Sequence, residues 1–125
     1  MKNLTTAGRI LFALPFVIFG INHFIMKEYY VGMLTSFIPL GPYTIILTGI
    51  LMITAGISII TKKYVKLATI LLAIMLLIFI LTIHIPHMIH AASEPDRMIS
   101  LITLLKDISL MGGSLMIAGM YSETT

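Results

Sequence analysis

The sequence contains no cysteine, and charged residues occupy only 10% of its 125 positions. Without a thiol, the chain cannot carry out disulfide exchange by itself, and cysteine usage does not indicate its compartment. The scarcity of charge excludes an ordinary soluble domain, in which about 25% of residues are charged. Hydrophobic residues make up 58% of the chain, which is more apolar surface than one soluble domain of this length could bury. The composition therefore predicts a single-domain integral membrane protein.

The sequence also lacks the features of a cleavable signal peptide. The first apolar stretch follows Lys2 and Arg9, but it contains Pro15, Asn22 and His23 and has no small-residue cleavage site after it. We therefore expect this stretch to be retained as the first membrane span. The formal net charge is +3, and the basic residues lie between apolar stretches. Membrane topology explains this charge better than nucleic-acid binding does, and we expect no nucleic-acid partner.

Four segments are apolar over the roughly 20 residues that a membrane-spanning helix requires. They cover approximately residues 6–26, 42–60, 65–85 and 96–120. Pro42 suits the first turn of the second span, and Pro86 is expected to end the third. Because the connections are short, we predict an all-α, up-down-up-down transmembrane four-helix bundle.

The segment between the first two spans is too polar to cross the membrane. Within approximately residues 29–38, apolar side chains recur at helical spacing on one face, and Gly32, Thr35 and Ser36 lie on the other. This pattern predicts a short helix lying in the membrane interface. The apolar face consists of Tyr30, Met33, Leu34, Phe37 and Ile38.

The distribution of basic residues predicts the orientation of the bundle. Lys27 and Arg97 flank one side of the membrane. The other side is flanked by Lys2, Arg9, Lys62, Lys63 and Lys66. Because basic residues are enriched on the cytoplasmic side, we expect both termini in the cytoplasm and the interfacial segment outside.

The fourth span contains Lys106 and Asp107 near its centre. An ionised residue at that depth costs a few kcal/mol, and it usually faces the bundle interior with a partner. Asp107 belongs to a polar stripe at helical spacing, whereas Lys106 points about 100° away. The other members of the stripe are Ser100, Thr103 and Ser114. Asp107 is therefore the strongest single candidate for a functional residue.

All four histidines are expected near the outer side of the membrane, and three interpretations of them compete. A polar pocket lined by His23, His84 and Asp107, with Asn22 beside it, could bind a small lipophilic or redox-active molecule. Three histidines at residues 84, 87 and 90 with a nearby carboxylate could instead hold zinc or copper, although Pro86 interrupts their helix. The third interpretation is structural: the histidines hydrogen-bond headgroups and water, and the Lys–Asp pair only fixes helix register.

Several of these residues resemble the DoxX family of small four-helix membrane proteins. The first span contains Arg9 and then Phe-Gly-Ile-Asn-His-Phe at residues 19–24, similar to the opening of that family. The second span has glycine and alanine at residues 49, 55 and 56, as in the family's second helix. Lys106 and Asp107, followed by a paired glycine at residues 112–113, are similar to the family's last span, and the proline and histidines at residues 84–90 are similar to the end of its third.

The resemblance implies a four-helix bundle in the cytoplasmic membrane and an association with membrane redox or oxidative-stress assemblies. A related subunit belongs to a thiosulfate:quinone oxidoreductase, so a quinone is a candidate cofactor. We therefore expect a DoxX-like protein that binds a lipophilic molecule in the outer half of the bundle. The expected ligand-binding residues are Asp107, Lys106, His84, His23, Asn22 and Thr103. Phe37 of the interfacial helix is expected to close the mouth of the site.

The alternative is a non-catalytic assembly or chaperone subunit that binds a partner membrane protein and uses its buried charges structurally. A small multidrug transporter would require a carboxylate in the first span, and none is present. A homodimer packed through glycine-bearing helix faces is a further expectation. A shared fold does not determine the chemistry of a protein, so the resemblance does not predict whether this protein is an enzyme.

Overall fold

The computed structural model describes residues 2–26 and 42–121, and every regular element within these ranges is a helix. Each of the four helices is long and apolar enough to cross a membrane, which indicates a multi-pass membrane protein. The helices are α1 (Lys2–Ile25), α2 (Pro42–Ile60), α3 (Val65–Ile89) and α4 (Glu94–Met120). The predicted interfacial helix at residues 29–38, with Lys27 and Phe37, lies outside the described residues.

The outward surfaces of these helices are apolar. Leu11 on α1, Leu47 on α2 and Met116 on α4 are each more than 60% exposed. Water would solvate such a surface poorly, whereas lipid tails solvate it well, so the exposed faces agree with a membrane environment.

Helices α1 and α2 pack with their backbones in close contact, because glycines remove the side chains that would separate them. A Cβ atom placed on Gly20 would lie 2.7 Å from the carbonyl oxygen of Gly49 and 2.5 Å from Cγ1 of Ile53. A Cβ on Gly56 would lie 3.2 Å from the carbonyl oxygen of Ala13. Small residues are the usual means by which membrane helices approach each other, because lipid provides no hydrophobic force between them.

One end of α2 is held by Arg9 from α1. Its Nη1 donates hydrogen bonds to the carbonyl oxygens of Ile59 and Ile60, the second at 2.8 Å. These carbonyls belong to the last turn of α2, where backbone acceptors lack partners within the helix and the helix dipole favours a cation. The same turn closes with Lys62 at φ 62°, and the amide of Lys63 donates to the carbonyl of Ser58, the arrangement of a Schellman motif.

The core lies between α1, α2 and the first half of α3. Its largest fully buried side chains include Ile59 on α2 and Leu72 on α3. Around them lie Ala13, Phe16, Met52, Ala55, Ala68, Met75 and Leu76. Methionine fills irregular gaps in such a core because its side chain is flexible and unbranched.

Helix α3 does not end before Pro86, as the sequence predicts, but continues through it to Ile89. A π-helical turn at Ile80–His84 precedes the proline, and the amide of Ile85 donates to the carbonyl of Ile80. Proline has no amide hydrogen and crowds the preceding turn. The widened turn is where α3 accommodates that loss, so the helix continues past Pro86.

Candidate functional site

A cavity of about 620 Å³ lies between all four helices. Its lining comes from residues 16–23 of α1, 44–52 of α2, 71–84 of α3 and 103–110 of α4. Most of this lining is apolar, and the few polar side chains come from all four helices. The polar side chains are His23, Thr44, Thr48, Thr82, His84, Thr103, Lys106 and Asp107. An apolar cavity with a few convergent polar groups is the usual form of a small-molecule site.

The centre of the polar region is a contact between α3 and α4. Nε2 of His84 lies 2.6 Å from Oδ2 of Asp107, and the two side chains are 10% and 13% exposed. An ionised carboxylate can only accept a hydrogen bond, so Nε2 carries a hydrogen and donates the hydrogen bond to Oδ2 of Asp107. Nδ1 of His84 and Oδ1 of Asp107 have no partner within residues 2–26 and 42–121. Each member of the pair therefore keeps one atom with which to contact a ligand.

The π-turn determines where His84 lies. It is the last residue of the turn Ile80–His84, and the hydroxyl of Thr82 within that turn donates to the carbonyl of Ile78 at 2.6 Å. A π-turn shifts the angular position of the residues that follow it, and such turns often occur at functional sites. Sequence reasoning missed this turn. The signal in the sequence is Pro86, two residues after His84. A proline inside an apolar stretch predicts either the end of a helix or a distorted turn within it.

The polar stripe on α4 divides between the cavity and the buried interior. Thr103 is half-buried beside the cavity, and its hydroxyl donates to the carbonyl of Ile99 at 2.9 Å. Ser114 is fully buried. Lys106 also lines the cavity, but it is exposed and forms no ion pair with the described residues. Asp107 therefore pairs with His84 and not with its neighbour in the sequence.

His23 reaches the cavity from α1. Its Nδ1 lies 2.7 Å from the carbonyl oxygen of Phe19, so Nδ1 carries the proton and Nε2 is the remaining ring acceptor in the neutral form. The residue is 7% exposed and lines the cavity together with Phe19. Asn22 is half-buried and does not line the described part of the cavity.

The remaining histidines do not join this cluster. His87 is half-buried, His90 is exposed, and neither lines the cavity. Within the described ranges no three histidine, aspartate or glutamate side chains come together as metal ligands. Of the candidate metal ligands His84, His87 and His90, the structure places only His84 beside a carboxylate.

Exposed lining side chains on α2 and α3 indicate that the cavity opens to the outer surface of the protein between these helices. Three of its lining residues are half exposed or more: Leu47 on α2 at 61%, and Ile74 and Ile78 on α3 at 50% and 51%. Near the turn that joins these two helices, Ile59 and Ala68 belong to the buried core cluster. The opening is therefore lined by apolar side chains of membrane-spanning helices, where lipid tails would lie.

Comparison with known proteins gives no relative, because no protein-family model, no characterised protein and no solved structure matches this chain.

Proposed function

We propose that this chain is a DoxX-like integral membrane protein that binds a lipophilic small molecule, in the first instance a quinone, as part of a redox-linked membrane assembly. The observation that carries the proposal is the 620 Å³ cavity, which is apolar, opens between α2 and α3 and holds the His84–Asp107 pair. An apolar ligand dissolved in the bilayer would reach this cavity through the opening without passing through water.

The polar groups suit a ligand with oxygen atoms on a flat ring. Nδ1 of His84 can accept a hydrogen bond from a hydroxyl or, when protonated, donate one to a carbonyl. The ammonium group of Lys106 would donate to a second oxygen and stabilise negative charge that develops on it. An imidazole ring can both carry and release a ring proton, so the His84–Asp107 pair has the chemistry to exchange a proton with such a ligand.

We also propose that the four helices alternate in direction across the cytoplasmic membrane, with both termini in the cytoplasm. Close contacts support the alternation: Gly20 near the end of α1 meets Gly49 near the start of α2, and Ala13 meets Gly56. The excess of basic residues around Arg9 and Lys62 supports the cytoplasmic assignment of that end.

Family membership is part of the proposal and is supported by the positions of the motif residues. Gly20 of the first motif lies in the α1–α2 contact, His23 lines the cavity, and Arg9 holds the end of α2. Lys106 and Asp107 of the last motif also line the cavity. The resemblance is thus carried by residues that have defined contacts in this chain.

Native mass spectrometry tests the ligand. The protein would be extracted in mild detergent, and the released small molecules would be identified before titration with a short-chain ubiquinone and a menaquinone analogue. We expect one quinone per chain and about a tenfold or greater loss of affinity in Asp107→Asn, which removes the charged acceptor of His84. Asp96→Asn, which removes the same charge from an exposed position in the first turn of α4, is the matched control.

Unchanged quinone affinity in a folded Asp107→Asn variant would overturn the proposed site. Zinc or copper released in a fixed ratio, with no organic ligand, would favour the metal interpretation. A second polypeptide that co-purifies while no quinone binds would favour the alternative function, a non-catalytic assembly or chaperone subunit. That function would use the His84–Asp107 pair only to join α3 and α4.

The orientation can be tested directly because the chain has no cysteine of its own. One cysteine would replace Asn3, in the first turn of α1, and another would replace Ala92, in the connection between α3 and α4. In intact cells, an impermeant maleimide should label the cysteine at position 92 and not the one at position 3. The reverse labelling pattern would overturn the proposed orientation.

A further inference from the structure

A second cavity lies at the opposite end of the molecule from His84, between α1 and α4. Its volume is about 280 Å³. The walls are formed by Leu4, Thr5, Gly8, Arg9 and Phe12 on α1 and by Gly113, Met116, Ile117, Met120 and Tyr121 at the end of α4. We call this cavity the Arg9 groove. Because it begins in the first turn of α1 and ends just beyond α4, it lies at the level where a spanning protein meets lipid headgroups.

The groove contains a buried positive charge without a counter-ion. Arg9 is 8% exposed, and neither of the ion pairs in the described part of the chain includes it. Both of its hydrogen bonds, to the carbonyls of Ile59 and Ile60, come from Nη1. Its Nε is buried with no acceptor. Backbone carbonyls compensate a guanidinium only in part, and a buried charge normally requires an anion beside it.

The surroundings of Arg9 determine what kind of anion would fit. The walls carry long apolar side chains, among them Leu4, Phe12 and Met116, and the described residues that form them include no carboxylate. Lys62 stands at the rim, with Nζ 5.9 Å from the centre of the Tyr121 ring. A ligand of the groove would therefore place a negative group between two cations and an acyl chain along an apolar wall.

We propose that the Arg9 groove is a binding site for one acidic phospholipid, whose phosphate contacts Arg9 and Lys62 and whose acyl chain lies between α1 and α4. Guanidinium is well suited to phosphate because its donors are arranged in a planar fork. A free phosphate ion would satisfy the charge but would leave the apolar walls unoccupied. This site is independent of the quinone cavity, because the two share no lining residue.

Filling the groove tests the proposal without touching Arg9. A Cβ on Gly8 would meet no atom within 4 Å, so Gly8→Leu places a side chain in the groove without a clash at its base. Gly119→Leu is the matched control, because Gly119 is equally open and does not line the groove. Each protein would be reconstituted in nanodiscs of phosphatidylcholine with about one-fifth phosphatidylglycerol, so that an acidic lipid, which basic residues attract, competes with a neutral lipid in excess. The lipid retained after transfer to detergent would be counted by native mass spectrometry.

We expect the native chain and Gly119→Leu to retain one phosphatidylglycerol and Gly8→Leu to retain about tenfold less. Equal retention by Gly8→Leu would overturn the proposal. So would displacement of the lipid by millimolar inorganic phosphate, which would show a free-anion site. Arg9→Gln should lose the lipid as well. If that variant fails to fold because α2 loses its end contact, the Gly8→Leu and Gly119→Leu comparison still decides the result.

Discussion

The α1–α2 contact and the α2–α3 contact differ in how closely their backbones approach. Helices α1 and α2 approach so closely that a methyl group added at Gly20 would collide with main-chain atoms, and one added at Gly49 or Gly56 would lie within 3.2 Å of a carbonyl oxygen. On α2 and α3, the buried cluster extends from Ile59 and Ala68 to Met52 and Met75, and these two methionines also line the 620 Å³ cavity. One contact therefore brings two helices together closely, and the other borders the cavity that we propose as the ligand site.

The largest effect is expected from breaking the tight contact. Gly20→Leu would place its Cβ 2.7 Å from the carbonyl oxygen of Gly49, so α1 and α2 would have to separate. We expect a loss of about 3 kcal/mol or more in the free energy of unfolding, measured by SDS titration in mixed micelles. Gly112→Leu, at an open position on α4, should change stability by less than about 0.5 kcal/mol. Equal stability of the two variants would contradict the proposed role of the glycines.

The His84–Asp107 pair beside the 620 Å³ cavity can be removed by replacing one residue or both. His84→Leu leaves the carboxylate of Asp107 largely buried without its partner, so we expect a loss of about 2 kcal/mol in the same titration. Replacing both residues by leucine should recover most of that stability, because no unpaired charge remains. The double variant should still fail to bind the quinone. A double variant less stable than His84→Leu would show that the pair is needed for the fold itself.

Filling the 620 Å³ cavity with a larger side chain tests the difference between the two helix contacts in the other direction. Thr48 lines the cavity, and within the described part of the chain its hydroxyl donates only to the carbonyls of Thr44 and Ile45 in its own helix. Thr48→Leu should therefore raise the free energy of unfolding by about 1 kcal/mol while lowering ligand affinity. Thr54→Leu, on the exposed face of α2, should leave ligand affinity unchanged. Increased stability together with undiminished quinone affinity in Thr48→Leu would place the ligand elsewhere.

The smallest effect is expected in the turn after α2. Lys62 has φ 62°, a conformation that glycine adopts more easily than any other residue. Lys62→Ala and Lys62→Gly both lose the contact with Tyr121, but only glycine removes the backbone strain. We therefore expect the glycine variant to be more stable than the alanine variant by about 1 kcal/mol. Equal melting temperatures in detergent would show that the turn is not strained at this position.

The sequence was sufficient for the spans and for the identities of the main polar residues, because both depend on local composition. Four apolar stretches predicted four helices, and the 3.6-residue period put Asp107 and Thr103 on one face. The sequence could not predict which histidine of the third span contacts Asp107, because this contact depends on the angular position that the π-turn gives to His84. It also could not show that Arg9 bonds to the end of α2, since this contact joins residues fifty positions apart.

The π-turn at Ile80–His84 has a consequence for how the third helix can change. Such a turn takes in one residue more than a regular α-helical turn, so it is equivalent to an insertion that the helix has absorbed. Residues 65–79 and residues 85–89 are therefore offset from each other by about 100° relative to an unbroken α-helix. The first half of α3 and its histidine-bearing end therefore differ in the angular positions of their side chains. Substitutions can alter packing in one half without changing which side chain the other half presents to α4.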